Sequence, residues 1–413
     1  MRPRTVFSLV FILASAAIAQ PSSKSDSQQH PPAPRVVDLK APDGIVLKGT
    51  YFAAGKPGPG VILYHQSNRT RTSWGDLAQQ LAAAGINTLA VDDRAYGESG
   101  GTHKEARRKK TADLETIFQF LISQPGVQRD VIGLGSAGSN GVVNAVETAR
   151  LHPAQIKSLV MMSGETFRPG IEFLHEASQL PELFVVADID EYPPTVEAML
   201  WLYARASSPS RRLIRYSAAQ EAPWLWYETS DASKVPATGG HGTDLFKAHP
   251  DLPEIIVQWF VTTLIKTPGH APADPLATAA ILNQLATAGG AAQVRQQLIE
   301  ARRKDPEVHL WPEVSADIIG SGYLREGETK SAIEVFQLNL LAYPDSADAH
   351  SNLADAYLQD GQKDLARQYA EKALALLDSH AAPSSSWSDT EQRRAEIRQD
   401  VQDTLKKLAE GTR

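Results

Sequence analysis

Residues 131–153 read VIGLGSAGSNGVVNAVETARLHP, and this stretch predicts a buried strand, a turn of small residues and then a helix. Ser139 lies at the predicted turn, with Ala137 two residues before it and Gly141 two residues after it. A serine raised on a strained strand-to-helix turn needs small neighbours, because the turn brings the flanking residues close to the adjoining backbone. The pattern therefore predicts that Ser139 is a nucleophile.

The position of the turn depends on the end from which it is counted. Counting forward from the apolar strand puts the turn on Gly138, which has no side chain that can attack a substrate. Counting back from the helix puts it on Ser139, if one extra residue precedes the turn. We adopt the second alignment. Ser136 is an alternative nucleophile, and Ser139 as a simple helix N-cap is the structural alternative.

The A-x-S-x-G pattern at 137–141 resembles the G-x-S-x-G turn of the α/β-hydrolase family, whose chain order is serine, then acid, then histidine. The resemblance implies that His241, in a glycine-rich loop before a final helix, is the general base. It implies that Asp190, at the end of a predicted strand, is the acid. Asp188 is the alternative acid, because one residue of slip at the strand end exchanges the two.

The resemblance also implies an oxyanion hole made of two main-chain NH groups. One belongs to Asn140, which follows the serine, and the other to Gln66, which follows a short apolar strand. A long insertion before His241 carries Trp224, Trp226 and Tyr227. These aromatic residues predict either a wall of the substrate pocket or packing of the insertion on the body of the domain.

Apolar strands alternate with amphipathic helices from residue 36 to residue 266. Such alternation predicts an α/β domain with a mostly parallel sheet covered by helices on both faces. We therefore expect an α/β-hydrolase domain over 36–266, followed by a proline-rich linker over 267–276.

The remaining residues, 277–413, are expected to be entirely helical. Five pairs of identical residues lie 34 positions apart: Tyr323 and Tyr357, Leu324 and Leu358, Gly327 and Gly361, Ala332 and Ala366, Leu340 and Leu374. This period resembles the tetratricopeptide repeat, a helix-turn-helix unit, over 313–346 and 347–380. The charged segment 389–410 predicts a capping helix. The resemblance implies either a groove for a protein or peptide partner or a buttress within the chain.

The first residues predict an exported protein. Residues 1–19 carry Arg2 and Arg4, an apolar run and an Ala-Ile-Ala cleavage site, which is typical of a signal peptide cut after Ala19. Residues 20–35 are rich in proline and serine and predict a disordered tether. No later segment is apolar enough to span a membrane. We expect a periplasmic or extracellular location.

Composition excludes several kinds of site. The 413 residues have a net charge of -7, which does not favour nucleic-acid binding, and include no cysteine, so disulfides and thiolate metal sites are excluded. No histidine cluster has metal-ligand spacing. A G-x-G-x-x-G match at 133–138 lacks the acidic residue that a dinucleotide site needs. We expect no metal and no cofactor.

These patterns together predict an exported serine hydrolase that cleaves a small ester or thioester, fused to a repeat domain. The chain resembles the dienelactone-hydrolase-like and acyl-esterase members of the α/β-hydrolase family. A peptidase of the same fold is one alternative. A hydrolase domain that has lost catalysis and acts as a binding protein or scaffold is the other, because the turn can fall on Gly138. The substrate, the oligomeric state and the repeat partner are not encoded in any pattern that we can interpret.

Overall fold

The structure is a computed structural model that describes residues 31–187, 190–192, 194–216, 239–272, 277–306, 308–311, 313–379 and 391–410. The predicted signal peptide, Asp188 and the insertion with Trp224, Trp226 and Tyr227 lie outside these residues. Among the described helices, none is long and apolar enough to cross a membrane.

An eight-stranded sheet forms the first half of the chain. Its strands are β1 Arg35–Lys40, β2 Val46–Phe52, β3 Gly58–Tyr64, β4 Asn87–Val91, β5 Val127–Ala137, β6 Ile156–Met162, β7 Glu182–Ala187 and β8 Arg211–Tyr216. Their order across the sheet is β1-β2-β4-β3-β5-β6-β7-β8. The first two strands are antiparallel to their neighbours and the other six run parallel. The predicted, mostly parallel sheet is confirmed, and the arrangement fits the α/β-hydrolase fold.

Helices cover both faces of this sheet. They are α1 Gly75–Ala83, α2 His103–Ser123, α3 Gly138–Leu151, α4 Arg168–Glu176, α5 Pro194–Arg205, α6 Leu245–Ala248 and α7 Leu252–Phe260. Alternate residues of a strand point to opposite faces, so Ile62 and Tyr64 join the core under α2 and α3, whereas Val61 and Leu63 join the core under α1 and α7. This double cover buries β3, β4, β7 and the second half of β5, and it fixes the ends of β3, β5 and β7, from which the site is built.

The second half is helical, as predicted. Its helices are α8 Ala277–Leu285, α9 Gly290–Arg302, α10 Glu313–Arg325, α11 Thr329–Ala342, α12 Ala347–Gln359, α13 Lys363–Ser379 and α14 Glu391–Glu410. The pair α12 and α13 begins 34 residues after the pair α10 and α11 (347 - 313 = 34; 363 - 329 = 34). This offset matches the sequence period, although assignment to the tetratricopeptide family stays a prediction.

The helical region packs against α5 of the sheet domain. Trp201 of α5 donates its indole NH to Glu326 Oε1 at 2.8 Å, and its ring meets that of Tyr323 edge to face. Arg205 donates to the carbonyl oxygen of Ala286 at 2.6 Å. Apolar residues of both halves belong to one continuous buried cluster. The described contacts therefore pack the helical region onto the sheet domain. Its role as a partner groove, a buttress or a dimer contact stays a prediction, as do the domain boundaries.

Close packing at this interface gives a test. A Cβ atom added to Gly322 of α10 would overlap the ring of Trp201. We expect Gly322→Ala to lower the free energy of unfolding by about 1–3 kcal/mol, as overpacking does in cores. Gly75→Ala, at a helical glycine with no atom within 4 Å of the added carbon, is the matched control and should have little effect. Urea unfolding measures both, and equal effects would contradict the described packing.

A buried carboxyl at the start of β7 gives a second test. Glu182 is fully buried, neither carboxyl oxygen has a hydrogen-bond partner among the described residues, and burial raises its pKa well above the usual value. When the pKa of an acid is higher in the folded than in the unfolded state, the free energy of unfolding falls as pH rises above the unfolded pKa. We expect Glu182→Gln to stabilise the protein increasingly from about pH 4.5 upward.

Unfolding by urea at several pH values measures this difference. Glu172→Gln, at an exposed glutamate, serves as the control. A stability difference between Glu182→Gln and the native chain that does not change with pH would contradict the interpretation.

Candidate functional site

The strand-to-helix turn that opens the site falls on Gly138. Strand β5 ends at Ala137, helix α3 begins at Gly138, and Gly138 has the positive φ of 64° that this turn requires. The extra residue that our sequence alignment placed before the turn is therefore absent. Ser139 lies one position further on, half-buried in the first turn of α3. This corrects the alignment that put Ser139 at the turn.

Ser136, the alternative nucleophile, is held in the sheet. It is fully buried, and its hydroxyl donates to the carbonyl oxygen of Val160 in the neighbouring strand at 2.8 Å. This hydroxyl satisfies a structural hydrogen bond and faces away from solvent. The structure gives Ser136 a role in joining β5 to β6.

His241 and Asp190 come together as a hydrogen-bonded pair. The His241 Nδ1 atom lies 2.9 Å from Asp190 Oδ1, and both residues are more than nine-tenths buried. The main-chain NH of Tyr192 donates to the same carboxylate oxygen at 2.8 Å. A carboxylate oxygen accepts the hydrogen bond that the Nδ1 position of a histidine donates, which leaves Nε2 on the side of the ring away from the acid. This is the orientation that a general base requires.

The free nitrogen of His241 faces the turn. A Cβ atom built on Gly138 would lie 3.3 Å from His241 Nε2, so the imidazole is directed at the position where a nucleophilic side chain would stand. No hydrogen bond joins Ser139 to His241. The structure thus brings together two of the three predicted catalytic residues and leaves the predicted nucleophile outside hydrogen-bond contact with the base.

Gln66 packs against the turn and against the histidine loop. Its side-chain NH₂ donates to the main-chain oxygen of His241 at 2.9 Å, and its Oε1 accepts from the main-chain NH of Thr243 at 2.7 Å. A Cβ atom on Gly138 would lie only 2.5 Å from Gln66 Cβ. The space beside the turn is therefore too small for a side chain unless Gln66 moves.

The two predicted oxyanion donors have different surroundings. The main-chain NH of Gln66 has no hydrogen-bond partner in the described part of the chain. Because the turn falls on Gly138, the residue after it is Ser139, so the second donor would be the Ser139 NH rather than that of Asn140. The Asn140 side chain instead donates to Asp93 Oδ2 at 2.5 Å.

A polar cavity of about 430 Å³ adjoins the first turns of α3. The sequence analysis did not predict this cavity. Asp93 lies in its wall and accepts hydrogen bonds from the side chains of Asn140 and Asn144. Burial raises the pKa of Asp93 and lowers the pKa of Lys110, whose ammonium group donates to Asn144 Oδ1 at 2.5 Å. Arg107 also lines this space. Asp93 belongs to the Asp-Asp-Arg run at residues 92–94, directly after β4.

The described residues hold one group with the residue types of a metal site, and it lies far along the chain from the dyad. Glu313, Asp317 and Asp348 of the helical region each have an oxygen within 4.8 Å of the others. Asp188 and the three aromatic residues of the insertion lie outside the described residues, so their predicted roles stay predictions.

Comparison with known proteins gives a short sequence match and several fold-level matches. No family model matches the chain. It is 30% identical over 101 residues to the thiohydrolase apmlB of Arthrinium phaeospermum, a stretch that spans 24% of this chain and 33% of that protein. The match therefore covers about a third of the length of that relative.

Among solved structures, the chain is similar to DcsB, bound to a substrate analogue, at 15% identity and a TM-score of 0.44, covering 56% of this chain and all of that one. It is similar to the Pyrococcus furiosus esterase Pf2001 at 17% identity and a TM-score of 0.44, covering 56% of this chain and 93% of the esterase. The dienelactone hydrolase of Anabaena variabilis matches at 19% identity and a TM-score of 0.40, covering 57% and 99% of the two chains.

The close approach of Gln66 to the turn gives a test. Gly138→Ser places a hydroxyl before His241 but forces its Cβ against Gln66. We expect this single variant to lose stability and to react poorly with a fluorophosphonate probe. Adding Gln66→Gly should relieve the overlap and raise labelling, and should recover stability only in part, because the hydrogen bonds of Gln66 to the His241 loop are lost. Thermal unfolding and probe labelling measure the difference. A single variant as stable and as reactive as the double variant would contradict the described contact.

Proposed function

We propose that this chain is a hydrolase of a small ester or thioester in which the His241–Asp190 dyad activates water. One observation carries the proposal: His241 Nε2 is directed at the turn residue Gly138, which has no side chain, while Asp190 holds the opposite side of the ring. A histidine held by a carboxylate in this way is arranged to accept a proton from a nucleophile placed at the turn.

The reaction is a direct attack by water on the substrate carbonyl. His241 Nε2 takes a proton from the water as the oxygen bonds to the carbonyl carbon, and the carbonyl oxygen becomes an oxyanion. In this proposal the main-chain NH groups of Gln66 and Ser139 stabilise that charge, as the resemblance to the family implies for the residues after β3 and after the turn. The tetrahedral intermediate then collapses, the leaving alcohol or thiol takes the proton from His241, and a carboxylic acid is released.

The substrate class rests on the reaction and on the short sequence match. Esters and thioesters have good leaving groups, so they need less help from a covalent intermediate than an amide does. The relative matched over 101 residues is described as a thiohydrolase, which favours a thioester among these substrates. A peptidase is the less favoured alternative, because an amine leaves only after protonation.

A second candidate function is binding without catalysis, and Gln66 favours it. The side chain of Gln66 bonds to the His241 loop through both of its polar ends and closes on the turn. A site held shut in this way would recognise a ligand without transforming it. Turnover measurements separate the two functions.

We also propose export through the N-terminal leader, and a tetratricopeptide-type helical region that serves as a buttress. The leader carries the charge, apolar run and cleavage pattern of a signal peptide. The 34-residue offset of two helix pairs supports the repeat assignment. The hydrogen bonds from Trp201 and Arg205 to the helical region support the buttress.

Hydrolysis of p-nitrophenyl acetate and of an acetyl thioester tests the proposal. We expect His241→Ala to lower kcat/KM by about 10²–10⁴-fold, the usual contribution of general base catalysis. Asp190→Asn keeps the shape of the side chain but not its charge, and it should also lower kcat/KM. Ser139→Ala is the control and should retain turnover, and the native chain should not label with a fluorophosphonate.

Three results separate the alternatives. Labelling that disappears in Ser139→Ala would replace the water mechanism with the serine mechanism predicted from the sequence. Equal, background turnover by the native chain and His241→Ala would favour the binding function. Turnover that is lost in His241→Ala and unaffected in Ser139→Ala would support attack by water.

A further inference from the structure

The polar cavity beside α3 has no part in the proposed proton transfer. Its volume of about 430 Å³ falls within the range of roughly 300–1,000 Å³ that small-molecule pockets occupy. Asn140 lines it, two residues after the turn at Gly138. His65 connects the cavity wall to Gln66, because its Nε2 accepts from the main-chain NH of Asp93 at 3.1 Å and its Nδ1 donates to the Gln66 main-chain oxygen at 2.7 Å. The cavity therefore adjoins the turn at which the proposed reaction takes place.

The wall of this cavity offers a hydrogen-bond acceptor that the protein leaves unused. Asp93 Oδ2 accepts from the side-chain NH₂ groups of Asn140 at 2.5 Å and Asn144 at 2.6 Å. Asp93 Oδ1 has no hydrogen-bond partner in the described part of the chain, although the residue is only 9% exposed. Burial raises the pKa of Asp93, because the charged form has lost most of its contact with water. Hydrogen-bond donors on a ligand would therefore stabilise the charged carboxylate.

The same wall offers hydrogen-bond donors. Arg107 of α2 lines the cavity, and its guanidinium group has no hydrogen-bond or ion-pair partner among the described residues. Lys110 donates to Asn144 Oδ1 at 2.5 Å, which uses one of the three NH bonds of its ammonium group. Tyr96 adds a phenol hydroxyl and an aromatic ring. Donors and acceptors thus line one space, together with an apolar surface.

This mixture of groups distinguishes between classes of ligand. An anion would be attracted by Arg107 and Lys110 but repelled by the carboxylate of Asp93, and a cation would meet the opposite conflict. A hydroxyl is neutral, and it both donates and accepts hydrogen bonds. A ligand with several hydroxyls can therefore use the donors and the acceptor together. The apolar C–H face of a sugar ring also matches the ring of Tyr96.

We propose that this cavity binds a polyhydroxylated group, a sugar ring in the first instance, and that the substrate of the site is an acylated form of that group. The scissile bond then joins the acyl group to an oxygen or sulfur atom of the sugar, which leaves as the alcohol or thiol after taking the proton from His241. The identity of the substrate rests on the proposed hydrolase function. The binding of the sugar itself does not depend on it.

Calorimetric titration of the full chain with glucose, galactose and xylose tests binding without turnover. We expect saturable binding of at least one of these sugars. In Asp93→Asn, the donors of Asn140 and Asn144 keep the amide oxygen on their side, so an NH₂ group replaces the acceptor in the cavity, and binding should weaken by about tenfold or more. Arg107→Ala, at an exposed residue whose loss does not threaten folding, should weaken binding by about three- to tenfold. Arg108→Ala, at the next exposed residue of α2, which does not line the cavity, is the matched control.

Turnover of two esters with the same acyl group tests the substrate. We expect the native chain to hydrolyse monoacetylated glucose with a kcat/KM at least about tenfold higher than that for ethyl acetate, because only the sugar ester fills the cavity. Arg107→Ala should reduce this preference, and Arg108→Ala should retain it. Equal kcat/KM values for the two esters would contradict the acylated sugar as substrate.

Three binding results would overturn the sugar site. The first is no heat of binding with any of the three sugars. The second is sugar binding that Arg107→Ala and Asp93→Asn leave unchanged, because the sugar would then lie elsewhere. The third is binding of inorganic phosphate in place of the sugars, lost in Arg107→Ala, which would make the cavity an anion site. Sugar binding without hydrolysis of either ester would support the site and contradict the proposed hydrolase, so the two failures are distinguishable.

Discussion

The close approach between Gly138 and Gln66 determines what this site can do. The turn after β5 needs a positive φ, and glycine provides it without strain. Glycine also leaves the space into which Gln66 packs, and Gln66 in turn fixes the loop that carries His241. The dyad is therefore held in place by the same contact that removes room for a nucleophilic side chain. In the proposed hydrolase, His241 still accepts a proton and the nucleophile comes from outside the chain.

The helical half is connected to this site through α5. That helix begins four residues after Asp190 and is buried along almost its whole length, between the sheet and the helical region. Its hydrogen bonds to Glu326 and Ala286 fix it from outside, while Tyr203 meets Phe184 of β7 on the inside. The segment that carries the acid is thus packed from both sides.

Much of the fold and part of the site could be predicted from the sequence, because strand alternation, helical periodicity and motif order are local patterns. His241 and Asp190 were predicted in this way, and the structure pairs them. The register of the turn was not predicted correctly. Apolar patterns do not define the end of a strand to within one residue, and a difference of one residue moves Ser139 out of the turn. The packing of Gln66 against the loop of Thr243 joins residues 177 positions apart, which no local pattern reports.

The central claim is that water, and no side chain, attacks the substrate. The most direct measurement is the intact mass of the protein, quenched during steady turnover of an ester that the native chain hydrolyses and His241→Ala does not. The account predicts an unmodified mass throughout, because no covalent intermediate forms. An increase by the mass of the acyl group, mapped to Ser139 by peptide fragmentation, would contradict it.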